Sequence, residues 1–197
     1  MNPQEITFSE RPIAVTDLEL TGLDPDRHEV IEFGLVVLEP HTLRVAEEWE
    51  ANVIPQHLEN ADPEAMQVNG YTPQAWRNAM HIDAALAQFL EKTRGTVFAA
   101  WGAIDWIFIT KALRERNINP KEYFFKHPRD LWSICCQLYQ ERIRESGISN
   151  PSLSWFSEEL GIPKEPAPHR ALNGARQAAL VYQTITAVLG GHIWRID

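Results

Sequence analysis

The stretch Val30-Ile31-Glu32-Phe33-Gly34-Leu35-Val36-Val37-Leu38 is the strongest constraint on how this chain can fold. Side chains on a strand alternate between faces, and here both faces are apolar, so the segment predicts a central strand covered on its two sides. An earlier apolar run, Pro12-Ile13-Ala14-Val15-Thr16-Asp17-Leu18-Glu19, predicts a first strand, joined to the second through the turn Asp24-Pro25-Asp26-Arg27. A third strand is expected from about Val45 to Ile54, after the turn Pro40-His41-Thr42. Strands linked by short turns in this way make an antiparallel meander. Glu32 interrupts the apolar run and is read as satisfying a buried partner, with no catalytic part.

Downstream the pattern changes to helical spacing. Short helices are expected near Pro63–Val68 and at Pro73–Arg77, and a longer one over Ile82–Leu90, ended by Gly95. Thr96–Ala100 reads as a fourth strand, followed after Trp101-Gly102 by a helix with Ile104, Ile107, Phe108, Ala112 and Leu113 as its stripe. A short extended piece near Arg129 leads to a helix with Leu131, Ile134, Cys135, Leu138 and Tyr139 inward. Asn150-Pro151 predicts a helix start, with proline in its first position and Gly161 at its close. Pro163–Pro168 is a stiff loop, and the final helix is expected from about Arg170 to Leu189, with Ala171, Ala175, Ala178, Tyr182, Ile185 and Leu189 on one face. The whole is an α/β mixed sheet with helices on its faces.

At 197 residues the chain reads as a leader, Met1 to Arg11, and a single domain over residues 12–197. The leader has no apolar core, so no signal peptide is expected, and no apolar stretch approaches the length that spans a membrane. The only cysteines are the neighbours Cys135 and Cys136. Adjacent helical residues point about 100° apart, so no disulfide is expected between them. Cys135 reads as core, and a reducing, cytoplasmic setting fits. With 27 acids against 18 bases the net charge is −9, which disfavours broad electrostatic binding of nucleic acid. A local grip on phosphate through metal ions is not excluded.

Three groups carry chemistry. Asp17 and Glu19, separated by one residue, point to the same side of the first strand, where their repulsion is relieved by a hard divalent cation. Asp105 lies where the fourth strand gives way to a helix, a crevice position in open α/β sheets. His169 stands at the mouth of the last helix, placed to act as a general base on water.

The order Asp-x-Glu-x-Thr-Gly-Leu, then an Asp at a strand-to-helix junction, then His169-Arg170-Ala171, resembles the DEDD exonucleases in their histidine-bearing, DnaQ-like (DEDDh) branch. The resemblance covers residues 12–190 and includes Val68-Asn69-Gly70-Tyr71-Thr72 before the first long helix. It implies an RNase H-like fold with a mixed five-stranded sheet, and 3′–5′ hydrolysis of the terminal phosphodiester of single-stranded DNA or RNA ends by a two-metal mechanism using Mg²⁺ or Mn²⁺. By resemblance Asp17 and Glu19 hold the metals, Asp105 orders the waters on them, and His169 deprotonates the attacking water. Leu20, Thr21, Gly22 and Leu23 seat the 3′-terminal nucleotide, which leaves as a nucleotide monophosphate.

Two positions depart from the family. Its last Asp, five residues after the histidine, is here Gly174, on the helix face that also carries Ala171, Ala175 and Ala178. Asn173 or Glu165 are the candidate substitutes, and one well-bound metal is a possible outcome. The family often has Asn four residues before its second-motif Asp; here Trp101 stands there, as a base-stacking group or a rim aromatic. Three readings follow: an exonuclease weakened at 174; a catalytically inactive relative that binds nucleic acid or a protein partner; and an RNase H-like endonuclease, disfavoured by the Thr-Gly-Leu and His-x-Ala groups. Gly174→Asp is expected from the sequence to raise activity.

Overall fold

A computed structural model of the chain describes residues 5–193, with side chains described to residue 187. Five strands form one mixed sheet: β1 (Ile13–Leu20), β2 (Val30–Leu38), β3 (Val45–Asn52), β4 (Val97–Ala100) and β5 (Arg129–Asp130), in spatial order β3-β2-β1-β4-β5. β1, β2 and β3 pair antiparallel, and β4 and β5 add to β1 in parallel. The helices are α1 (Pro63–Val68), α2 (Ile82–Lys92), α3 (Ile104–Glu115), α4 (Leu131–Leu138), α5 (Gln140–Ser146), α6 (Leu153–Glu159) and α7 (Ala171–Ile193).

Every residue of β2 is buried, as its two apolar faces require. One face of the sheet, with Ala14, Leu18, Phe33, Leu35 and Phe98, packs on α2 and α3. The other, with Ile13, Val15, Val36, Leu38 and Ala99, packs on α7 and on residues of α4 and α6. Cys135 belongs to this second core, and burial pushes its thiol up to about 12, so it serves as packing. Strand alternation then fixes the site: Asp17 and Glu19 continue the row begun by Ile13 and Val15, beneath the start of α7.

Three local expectations are corrected. Pro73–Arg77 is a run of turns, held by Trp76 N–H to Thr72 O, because Trp76 is drawn inward to donate its indole N–H to Ile31 O. α6 starts two residues later than Pro151 suggested, since the Ser152 hydroxyl caps it by accepting from Trp155 N–H. α5 was not expected. Of the leader, the part nearest β1 is docked: Phe8 stacks on Phe125 at 5.0 Å and Arg11 donates to Gly95 O at 2.9 Å. Residues 1–4 and the Leu189 side chain lie outside the described residues. Among the described residues no helix is long and apolar enough to cross a membrane.

The seating of α7 depends on Gly34, which pairs with Asp17 across the β1–β2 ladder. A Cβ at this position would overlap the backbone of Ala171 and Leu172. Gly34→Ala is therefore expected to cost about 3 kcal/mol, since helix backbone cannot give way as a side chain would. Urea denaturation checks this; a wild-type midpoint would mean that α7 does not rest on residue 34.

Candidate active site

The cleft opens at the carboxyl end of β1, between the sheet and the N-terminus of α7. Asp17, Glu19, Asp105, His169 and Gly174 all line it, with Leu20, Gly22, Leu23 and Trp101 around them. Each reaches it for a local reason. β4 ends at Ala100, and past that point Asp105 Oδ1, from the first turn of α3, accepts the Leu18 N–H at 3.0 Å. This bond draws the Asp105 carboxylate, 3% exposed, up to the strand between Asp17 and Glu19.

His169 is positioned by its own backbone and its neighbour. Its N–H donates to Val68 O at 3.2 Å, tying the α7 entry loop to the end of α1. Arg170 then turns inward: Nε donates to Glu32 Oε1 and Nη2 to Asn52 Oδ1, each at 3.0 Å, with the guanidinium 5.2 Å from the Trp76 ring centre. Glu32 is wholly buried, and Arg170 is the partner its strand position called for. The imidazole of His169 remains more than half exposed at the cleft mouth, with Nδ1 3.3 Å from Glu165 Oε2.

Two of the expected positions serve otherwise. Thr21 is buried and does not line the cleft; its hydroxyl accepts from Glu29 N–H and its own N–H donates to Glu29 O, both at 2.9 Å. That clasp holds the loop that presents Gly22 and Leu23. Asn173 is not among the lining residues either, as its turn of about 100° from Gly174 requires. Trp101 meets Phe156 edge-on at 5.4 Å while also lining the cleft. Glu165, Lys164, Asn69 and Gln177 line the cleft as well. Asn69 could be marked only as part of a segment, and Gln177 by its place one turn after Gly174; its Nε2 donates to Pro163 O at 3.4 Å.

Gly174 faces Asp17, as the helical register predicts. A Cβ there would overlap Asp17 Oδ2 and lie 2.8 Å from Asp17 Cγ. A side chain introduced at 174 thus needs Asp17 to turn aside, and Gly174→Asp would add an acid to a crowded cluster.

That crowding shows in the titration of the carboxyls. Burial, followed by the charges of Asp105, Glu19, Glu165 and Glu32, holds Asp17 well above the usual carboxylate range. Glu19 is pushed up to about 8 by burial and then by Glu32 and Glu165, against the opposing pull of Arg170. Burial also raises Asp105 to about 7, opposed by its hydrogen bonds to backbone N–H groups. Near neutral pH the cleft thus holds protons or cations in preference to bare charge. The carboxylate donor set suits hard divalent ions, and Glu19, 8% exposed, makes no competing side-chain hydrogen bond or ion pair among the described residues.

Residues 14–182 match the exonuclease family, RNase T. The DNA polymerase III PolC-type of Thermotoga maritima is 27% identical over 178 residues, which are 89% of this chain and 12% of the polymerase. The fold is similar to the nuclease domain of 3′hExo, a DEDDh family member, bound to rAMP: 20% identity, TM-score 0.68, covering 95% of this chain and 96% of that one. It is similar also to E. coli Exonuclease I in complex with a dT13 oligonucleotide: 16% identity, TM-score 0.75, covering 92% of this chain and 42% of that one. A full-length 3′-exonuclease is 20% identical with TM-score 0.72, covering 94% of this chain and 62% of that one. The chain thus spans less than two thirds of the length of several proteins it resembles.

The raised carboxyls set the sign of a pH effect. A carboxyl whose folded value exceeds its unfolded one stabilises fully below the unfolded value and loses that contribution as pH rises through the folded one. For Glu19 the window runs from 4.5 to about 8. Without divalent cations the thermal midpoint is expected to fall as pH rises across that window. Added Mn²⁺ should restore it, more strongly at the alkaline end, because cations displace the protons. A flat midpoint in scanning calorimetry, with or without Mn²⁺, would contradict the crowding.

Proposed function

Since the chain belongs to the exonuclease family, we propose that it is a metal-dependent 3′–5′ exonuclease of DEDDh type, acting on single-stranded DNA or RNA ends and releasing nucleotide monophosphates. The observation that carries this reading is the convergence of Asp17, Glu19, Asp105 and His169 on one cleft from three separate stretches of chain. Mg²⁺ or Mn²⁺ held by Asp17, Glu19 and Asp105 would supply the positive charge that stabilises phosphoryl transfer and the activation of a water nucleophile.

The chain's own residues supply the rest. His169 turns Nδ1 toward Glu165, which leaves Nε2 to take the proton of the attacking water at the cleft mouth. Leu20, Gly22 and the largely exposed Leu23 form the apolar seat for the terminal nucleotide, and Trp101 offers a ring for base stacking. Thr21 contributes by holding this loop closed rather than by touching the nucleotide. The acidity of the cleft then works for product release, because a monophosphate parted from the cation is repelled by Asp17, Glu19, Asp105 and Glu165. A cytoplasmic setting accords with the free thiols of Cys135 and Cys136.

Gly174 favours a second reading, an inactive exonuclease-fold protein that binds nucleic acid or a protein partner, since the family's last carboxylate is absent there. Incubating 5′-labelled DNA and RNA oligonucleotides with Mg²⁺ or Mn²⁺ separates the two. The expected result is a ladder shortened from the 3′ end. Asp17→Asn should slow it on the order of 10²–10³-fold and His169→Ala by about 10²-fold or more. An uncut oligonucleotide under every condition, or an Asp17→Asn variant as fast as wild type, would leave the second reading standing.

A further inference from the structure

The loop between α6 and α7 puts a carboxylate where the helix lacks one. Glu165, held between Pro163 and Pro166, has a side chain only 10% exposed although it lies on a loop. Its Oε1 accepts the Arg170 N–H at 2.9 Å and its Oε2 faces His169 Nδ1. One ligand atom from each of Glu19, Glu165 and His169 lies within 4.8 Å of the others. Ligands sharing one octahedral ion at ~2.1 Å stand about 3–4.2 Å apart, so side-chain adjustment of a fraction of an ångström suffices to bring such a group onto one ion.

A second observation concerns the partners of Glu19. The residue is more than nine-tenths buried, faces the cleft, and among the described residues has no hydrogen bond or ion pair from its side chain. Arg170, the nearby cation, is committed to Glu32 and Asn52. Two buried carboxylates brought together beside a cation already committed elsewhere favour a further counter-charge.

We propose that Glu165 is a cation ligand of this site, standing with Glu19 and replacing the carboxylate that Gly174 cannot supply. The proposal rests on the exonuclease reading only in taking Asp17 and Glu19 as ligands. Gly174 and Glu165 are then two halves of one arrangement. Asp17 occupies the space beside residue 174, and the fourth acid enters from the loop, on the side of Glu19. His169 keeps its imidazole for the proton, with Glu165 setting which nitrogen faces outward.

The test is Mn²⁺ binding by isothermal titration calorimetry on the full chain, for wild type, Glu165→Gln and Asp17→Asn, with thermal midpoints taken without Mn²⁺. The Gln Oε1 still accepts the Arg170 N–H, so Glu165→Gln is expected to keep a metal-free midpoint no lower than wild type while binding Mn²⁺ at least about tenfold more weakly. Wild-type Mn²⁺ affinity in Glu165→Gln, with affinity lost in Asp17→Asn, would overturn the role of Glu165 and leave the exonuclease site intact. Wild-type affinity in both would overturn the cation site as a whole. If Glu165→Gln does not fold, Glu165→Asp and Glu165→Ala replace it. Tighter Mn²⁺ binding by the Asp variant supports the proposal, and equal affinities overturn it.

Discussion

The close approach of the α7 N-terminus to the sheet is the contact on which the site depends. It is possible because Gly34 presents no side chain where the backbone of Ala171 and Leu172 comes down. That contact sets Gly174 against Asp17 and brings the residues just before the helix, Glu165 and His169, over Glu19. Arg170 fixes the rotation of the helix start by reaching through to Glu32 on β2 and Asn52 at the end of β3. Packing and the buried ion pair therefore act together: one sets how deep the helix lies, the other which way it faces.

The same approach creates the electrostatic problem that defines the cleft. Lowering a helix onto the end of β1 removes water from Asp17 and Glu19, and Asp105 arrives because the Leu18 N–H needs a partner where β4 ends. Each step satisfies a packing or hydrogen-bond demand and adds a carboxylate. The stored repulsion can be relieved by protons or by cations, and these compete. A cleft that lifts Glu19 to about 8 is half protonated near that pH, so divalent cations must displace protons to bind at neutrality.

The sequence made the sheet legible because its signals are local. Both apolar faces of Val30–Leu38 and the alternation of β1 come directly from strand geometry, and they place Asp17 and Glu19 on the α7 side without further information. What escaped was set by distant partners. Pro73–Arg77 has helix-compatible residues, yet Trp76 is pulled to Ile31 from another part of the chain. Thr21 lies inside the motif that resembles the nucleotide seat, but its hydroxyl is taken by Glu29 eight residues on. Asp105 and His169 could be picked out by their positions at element ends, whereas Glu165 had only its place in a proline-bounded loop to mark it.

That difference bears on how the departure at 174 should be weighed. Judged along the chain, a glycine five residues after the histidine looks like a ligand removed and nothing gained. Judged in space, the vacancy at the Cβ is filled by Asp17 itself, and the acid Glu165 stands near Glu19. A site that had merely decayed would be expected to lose its like-charge repulsion, because any neutral substitution among these acids would stabilise the fold. Instead Asp17, Glu19, Asp105 and Glu165 stand as four acidic residues within one cleft, and the Arg170 that pairs with Glu32 beneath them is committed there. Retaining that unfavourable cluster in a marginally stable fold is physically consistent with a cation that binds there and offsets it.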